Sequence, residues 1–233
     1  MTPPFCAGRA WAGIMPDVPL ASLKDLELSW LHRIMCGGAS SAADWIAAFV
    51  NDDLFGVPFI LLLYLLWFAT RPGRERAVRV LVTLVLAMGL ANGLREVVWN
   101  VAPRSRPPWE YPRAEWLVGP NERLTCGQHP DRWIDRSHPP KSPAFPSAHV
   151  TTATVAATAL ALGSRAFGAV ALLYALLVGW GRLYWGKHWP SDVVGTLLLM
   201  AVLTWAVWRF VPRLLAWWRA RRARGLPQAP PAT

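Results

Sequence analysis

Residues 181–192 read Gly-Arg-Leu-Tyr-Trp-Gly-Lys-His-Trp-Pro-Ser-Asp and join two apolar segments. They place Arg182, His188 and Asp192 between the end of one apolar run and the start of the next. An arginine holds phosphate through a planar fork of donors. A histidine attacks phosphorus, or moves protons near neutral pH. An aspartate can fix which ring nitrogen of a histidine carries the proton. Pro190 lies between His188 and Asp192 and suits the first turn of a helix. The pattern therefore predicts His188 just before a helix and Asp192 in its first turn. A histidine and an aspartate at this spacing are also ordinary capping residues, so the stretch does not stand alone.

Two further polar clusters interrupt apolar sequence in the same way. Phe145-Pro146-Ser147-Ala148-His149 opens an apolar segment. Ser147 is a natural helix cap, which explains the serine but not a histidine entering an apolar helix. Free N–H groups at a helix start, with a serine hydroxyl beside them, also form an anion site. Arg104-Ser105-Arg106-Pro107 closes another apolar segment. Three such clusters at segment ends are hard to ascribe to chance.

At these residues the chain resembles the type-2 phosphatidic acid phosphatases, the membrane lipid-phosphatase branch of the superfamily that includes the vanadium haloperoxidases. Phe-Pro-Ser-Ala-His is similar to their PSxH motif. Residues 181–192 are similar to SRxxxxxHxxxD, with Gly181 in place of the serine. Arg106-Pro107 resembles the end of KxxxxxxRP, but the lysine position, seven before Arg106, is Trp99. Arg95, eleven before Arg106 and nine before Arg104, is the nearest upstream cation. Either the connecting turn is longer in this chain or that phosphate contact is missing. The resemblance spans residues 54–210.

The resemblance implies a role for each matching position. His188 attacks phosphorus to form a phosphohistidine, and Asp192 orients its ring. His149 protonates the leaving alcohol or phosphate, then activates the water that clears the enzyme. Arg106, Arg182, Ser147 and the helix-start N–H groups hold the phosphoryl oxygens, with Arg95 or Arg104 in place of the lysine. No carboxylate cluster is available for catalytic magnesium, so hydrolysis without metal or other cofactor is expected. His129, His138 and Cys126 match no common zinc spacing and read as polar loop residues.

Composition points to a membrane on separate grounds. The 233 residues are 54% hydrophobic and 16% charged, too apolar for an ordinary soluble domain. A net charge of +10 could suit nucleic acid, but 15 tryptophans and several uncharged runs suit a bilayer better. Nucleic acid is therefore not an expected partner; membrane lipids are. Residues 1–20 lack the pattern of a cleavable signal peptide. Residues 21–50 read as one or two amphipathic helices lying on the membrane surface.

The expected fold is all-α: a polytopic membrane bundle of about five transmembrane helices. The predicted spans are 54–70, 80–100, 149–164, 166–181 and 193–208. The third is rich in Ala and Thr, which suggests a helix packed closely among others. The expected organisation is an N-terminal segment 1–53, a transmembrane phosphatase domain 54–210 with a long external segment 101–146, and a basic cytoplasmic tail 211–233. The external segment carries Trp109, Tyr111, Trp116 and Trp133 and reads as a lid or a surface-resting loop.

Arginine-rich short loops belong in the cytoplasm, which puts Arg71–Arg79, Arg165 and the tail inside. The opposite segment ends then face the periplasm of a bacterial inner membrane. Those ends carry Arg95, Arg104, Arg106, Ser147, His149, Arg182, His188 and Asp192. An orientation rule blind to chemistry thus gathers every candidate residue on one face. Cys36 and Cys126 would share that side, where a disulfide is feasible.

The leading expectation is an integral membrane phosphatase acting on a lipid phosphate or diphosphate. Undecaprenyl diphosphate, phosphatidic acid, phosphatidylglycerol phosphate and lipid A phosphate are the candidates. The alternatives are a lipid-to-lipid phosphotransferase with the same site and a non-catalytic lipid-phosphate binder.

Overall fold

The computed structural model describes residues 23–37, 40–107 and 143–225. The proposed lid, His129, His138, Cys126 and the tail after Gly225 lie outside the described residues, as does the side chain of Cys36.

Seven α-helices follow one another without a strand among the described residues: α1 Leu23–His32, α2 Ser41–Val50, α3 Asp53–Ala69, α4 Arg74–Val101, α5 Ala148–Gly163, α6 Arg165–Tyr184 and α7 Pro190–Gly225. A short π-helical turn, Arg33–Gly37, extends α1. Residues Arg74–Val101, Arg165–Tyr184 and Pro190–Arg221 are long and apolar enough to cross a membrane. Helices α2 and α3 together qualify as a fourth crossing, bent by 68° between Val50 and Asp53. The 16-residue α5 is shorter but apolar along its length. Helices α3 to α7 coincide with the five expected segments, of which three, or four with the bent α2–α3 pair, are long and apolar enough to cross; the chain is an integral membrane protein.

Helix α5 is the centre of the bundle, packing on α4, α6 and α7. Its small residues make this possible. Ala153, Ala156, Ala157 and Ala159 are buried, and at Gly168 of α6 any side chain would overlap the backbone of Ala161. Outward faces carry Leu61, Leu62 and Leu65 of α3, Leu173 and Leu176 of α6, and Leu198 and Val202 of α7, all exposed. In a bilayer those faces meet lipid.

Two boundaries differ from expectation. Helix α7 does not stop near Trp208 but runs on through Pro212 and the arginines to Gly225, so residue 211 is no structural break. Helix α6 continues past Gly181 to Tyr184, which carries Arg182 on its last turn. Alanine, leucine and arginine all favour helix, so the helix outlasts the apolar run that a span is read from. Pro190 opens α7 as expected, leaving His188 just before it and Asp192 in the first turn.

Candidate active site

The C-terminal ends of α4 and α6 meet the N-terminal ends of α5 and α7 at one end of the bundle, and the three motif loops lie there. Gly186, with φ of 61°, permits the turn that leaves α6 and returns the chain through His188. His188 is buried and bonded at both ring nitrogens. Nδ1 lies 2.6 Å from the Ala144 carbonyl, and Nε2 lies 3.2 Å from Ser147 Oγ. A carbonyl only accepts, so Nδ1 carries the proton and Nε2 presents a lone pair toward the serine hydroxyl. Burial comes first in holding this imidazole well below the ordinary histidine value, followed by the positive fields of Arg182 and Arg106. The bond to Ala144 works in the opposite direction. The shift favours the neutral ring, the form a nitrogen nucleophile needs.

Ser147 stands at the N-cap of α5 but makes no side-chain capping bond. Its hydroxyl turns to His188, and its N–H donates to Thr196 Oγ1 at 3.1 Å. Arg182 is buried on the last turn of α6. Arg106 is half-buried; its guanidinium is pulled below the usual range by burial, and Asp192 pushes it back up. His149 enters α5 two residues after Ser147, and its Nε2 lies 3.5 Å from Asp53 Oδ1 at the start of α3.

Asp192 departs from its expected role. It does not bond the His188 ring, whose Nδ1 belongs to Ala144. Its Oδ2 accepts from the Trp189 N–H at 3.0 Å, and its Oδ1 accepts from Arg104 Nη1 at 2.7 Å. The carboxylate therefore fixes the backbone just after His188 rather than the imidazole. Arg104 departs as well. Besides Asp192 it donates to Ser191 Oγ at 2.6 Å and to buried Glu27 of α1 at 2.7 Å. Glu27 also accepts from the Ser191 N–H at 2.9 Å, binding α1 to the start of α7. Arg104 is thus held by two carboxylates, Glu27 and Asp192.

Arg95 lies on α4, one turn before Trp99. Its guanidinium stacks 4.8 Å from the Trp99 ring, and the Trp99 indole N–H donates to the Pro146 carbonyl at 3.3 Å. Trp99, at the position of the missing lysine, thereby reaches the loop that carries Ser147. Fully buried Trp189 ties the first motif to the third, its indole N–H donating to the Ser105 carbonyl at 2.9 Å. The Ala144 N–H, in turn, donates to the Arg104 carbonyl at 2.8 Å. Sequence reasoning missed Glu27, Asp53, Ala144, Trp189 and Thr196. Only Trp189, inside a recognised motif, carried a local signal.

A cavity of about 650 Å³ opens from His149. Asp53 and His149 stand at its polar end; Val57, Ile60, Val85 and Met88 make its walls between α3 and α4. Val57 and Val85 are exposed on the outer surface, so the cavity opens sideways out of the bundle.

The PAP2 superfamily model matches residues 76–216, more than half of the chain. The chain belongs to the PAP2 superfamily. It is a hydrolase of phosphate esters embedded in the membrane. It is 26% identical over 213 residues to the "Putative undecaprenyl-diphosphatase YbjG" of Escherichia coli (strain K12), covering 84% of this chain and 92% of that protein. Over 66 residues it is 33% identical to the "Undecaprenyl-diphosphatase BcrC" of Bacillus subtilis (strain 168), covering 28% of this chain and 34% of that one. Its fold is similar to the crystal structure of Aquifex aeolicus LpxE, with TM-score 0.50 and 20% identity over 79% of this chain and 95% of the other. A transmembrane PAP2-type phosphatidylglycerolphosphate phosphatase from Bacillus subtilis gives TM-score 0.51 at 19% identity, covering 83% of this chain and 89% of that structure.

Proposed function

We propose that this PAP2 protein removes the terminal phosphate of a lipid phosphate or diphosphate through a phosphohistidine on His188, with undecaprenyl diphosphate as the favoured substrate. The observation that carries the mechanism is the pair of bonds on the His188 ring. A carbonyl on Nδ1 leaves Nε2 as the attacking atom, beside Ser147 and in the field of Arg182 and Arg106. The Nε2 lone pair bonds to phosphorus as the bond from phosphorus to the leaving oxygen breaks. His149 supplies the proton that the leaving oxygen takes. Water then attacks the phosphohistidine and gives a proton to His149, the N–P bond breaks, and inorganic phosphate departs.

Arg182, Arg106, Ser147 and the first N–H groups of α5 hold the equatorial oxygens, where charge gathers in the transition state. Arg95 serves as the third cation in this reading, since Arg104 is held by Asp192 and Glu27. No metal takes part. The names of both curated relatives support a polyprenyl diphosphate. So does the sideways apolar cavity, which suits a hydrocarbon chain reaching His149 from the bilayer. The arginines at the far end of the bundle support a periplasmic site in a bacterial inner membrane.

A phosphate-release screen of the purified protein on undecaprenyl diphosphate, phosphatidic acid, phosphatidylglycerol phosphate and lipid A phosphate tests the reading. Turnover fastest on undecaprenyl diphosphate is expected. No release from any of the four, with lipid binding retained, would leave a non-catalytic binder. A newly phosphorylated lipid in place of free phosphate would mean a transferase.

A further inference from the structure

The other end of the bundle holds a second cavity, of about 1300 Å³, bounded by the turn before α4, the junction of α5 with α6, and the later part of α7. Arg71, Arg74, Arg76, Arg79, Arg165 and Arg219 line it, against the one lining carboxylate, Glu75. Arg219 takes Glu75 at 3.1 Å. Arg79 lies 3.8 Å from the centroid of the Trp208 ring and donates to its carbonyl at 3.0 Å. The side chains of the remaining four, Arg71, Arg74, Arg76 and Arg165, make no hydrogen bond or ion pair among the described residues.

Two helices also begin at this cavity. Gly73 precedes α4 and Ser164 precedes α6, and neither start receives a side-chain capping bond. Arginine-rich loops are ordinary at one face of a membrane protein, where water solvates them. This cluster differs in lining a concavity into which two uncapped helix starts also open. Guanidinium forks and helix-start N–H groups both bind oxyanions, and phosphate is the one that a membrane surface supplies in quantity. The catalytic phosphate does not reach here. His149 and Gly163 stand near opposite ends of α5, about 21 Å apart at 1.5 Å per residue.

We propose that this cavity is a second phosphate-recognition site, binding the headgroup phosphate of an anionic phospholipid in the leaflet remote from the active site, or free phosphate. The site is independent of the catalytic reading, because its ligand keeps its phosphate and its readout is binding.

The test uses the full chain in neutral detergent and a variant carrying Arg74→Gln, Arg76→Gln and Arg165→Gln together. Native mass spectrometry measures retention of added phosphatidylglycerol against phosphatidylcholine. Thermal shift measures inorganic phosphate against potassium chloride of equal ionic strength. The active site contributes equally in both proteins, so the difference between them is the result. Wild type should prefer phosphatidylglycerol, and the variant should bind it more weakly by on the order of 100-fold, about fivefold per arginine. Sensitivity to the substitutions with phosphatidylglycerol alone identifies a lipid headgroup; the same sensitivity with inorganic phosphate identifies the free anion. Equal responses of the two proteins to both ligands overturn the proposal, whether both bind or neither does. Should the triple variant fail to fold, Arg76→Gln alone gives the same reading at about fivefold. The three arginines replaced by lysine should recover affinity only in part, since the fork is lost.

Discussion

The carbonyl of Ala144, and not the carboxylate of Asp192, receives the Nδ1 proton of His188, at 2.6 Å. A backbone group therefore sets the tautomer, and it does so from the loop that leads into Ser147. In a triad whose aspartate holds the imidazole, aspartate to asparagine costs about 10⁴-fold in kcat. Here Asp192→Asn leaves that bond intact and should lower kcat only by about tenfold, the loss expected of a modest shift in position. A loss near 10⁴-fold in steady-state turnover would return Asp192 to the ring.

The two arginines upstream of Arg106 should separate in kind. Arg95→Ala should lower kcat/KM by about 10²-fold, the worth of one transition-state donor, with little change in stability. Arg104→Ala strips Glu27 and Asp192 of their shared cation and should destabilise the fold by about 2–3 kcal/mol, less than a fully buried pair because Arg104 is partly exposed. Adding Glu27→Gln to Arg104→Ala should recover part of that loss. Thermal unfolding in detergent beside phosphate release distinguishes the two, and a reversed pattern would exchange their roles.

His188→Ala should abolish turnover and any trapped phosphoenzyme, since it removes the nitrogen proposed to attack phosphorus. His149→Ala should fail on a lipid with a poor alkoxide leaving group yet still accept phosphate from an activated aryl phosphate. The base for the second step is then gone, and the phosphoenzyme should accumulate. Alkaline denaturation followed by peptide mass measurement locates the phosphate. Finding it on His149 would exchange the two histidines.

The pH profile follows from the environment of His188. Its value in the folded protein lies well below 6.5, so its protonation should cut activity only in distinctly acid solution. Replacing Arg182 or Arg106 by glutamine removes a positive neighbour and should move that acid limb upward in the residual activity. The sign for stability is the same. Below about pH 6.5 the unfolded histidine takes up a proton that the folded one refuses, so stability should fall with pH through that window. Acid limbs that coincide in wild type and both variants would remove these arginines from the site.

Gly181, where the related motif has serine, faces the bend between α2 and α3. A side chain there would overlap the amide of Asn51, which itself donates to the Ala47 carbonyl. Gly181→Ser should cost about 1–3 kcal/mol through overpacking, read as a lower unfolding temperature. An unchanged unfolding temperature would show that the bend yields freely.

Much of this site was legible because membrane helices confine polar residues to their ends. Once the spans were placed, the motif residues had to share one face. The unread parts are contacts made over long sequence separations or by the backbone. The Ala144 carbonyl leaves no trace in residue type. Glu27 lies 77 positions before Arg104, in a helix whose pattern indicates only a membrane surface. The charge of Arg104 announced a cation without saying which anion it would meet. The resemblance gives the Asp192 carboxylate to the ring of His188, whereas its Oδ2 accepts from the Trp189 N–H, a backbone donor with no mark in residue type.

The sideways opening between Val57 and Val85 alters what substrate concentration means for this protein. In the proposed reading, a lipid that enters there never passes through water and its dephosphorylated chain leaves the same way, so only phosphate crosses the interface. The governing variable is then the mole fraction of substrate in the bilayer, and diluting the membrane with inert lipid slows the reaction at constant bulk concentration. Encounter is a two-dimensional search, and its rate is tied to the lateral fluidity of the leaflet.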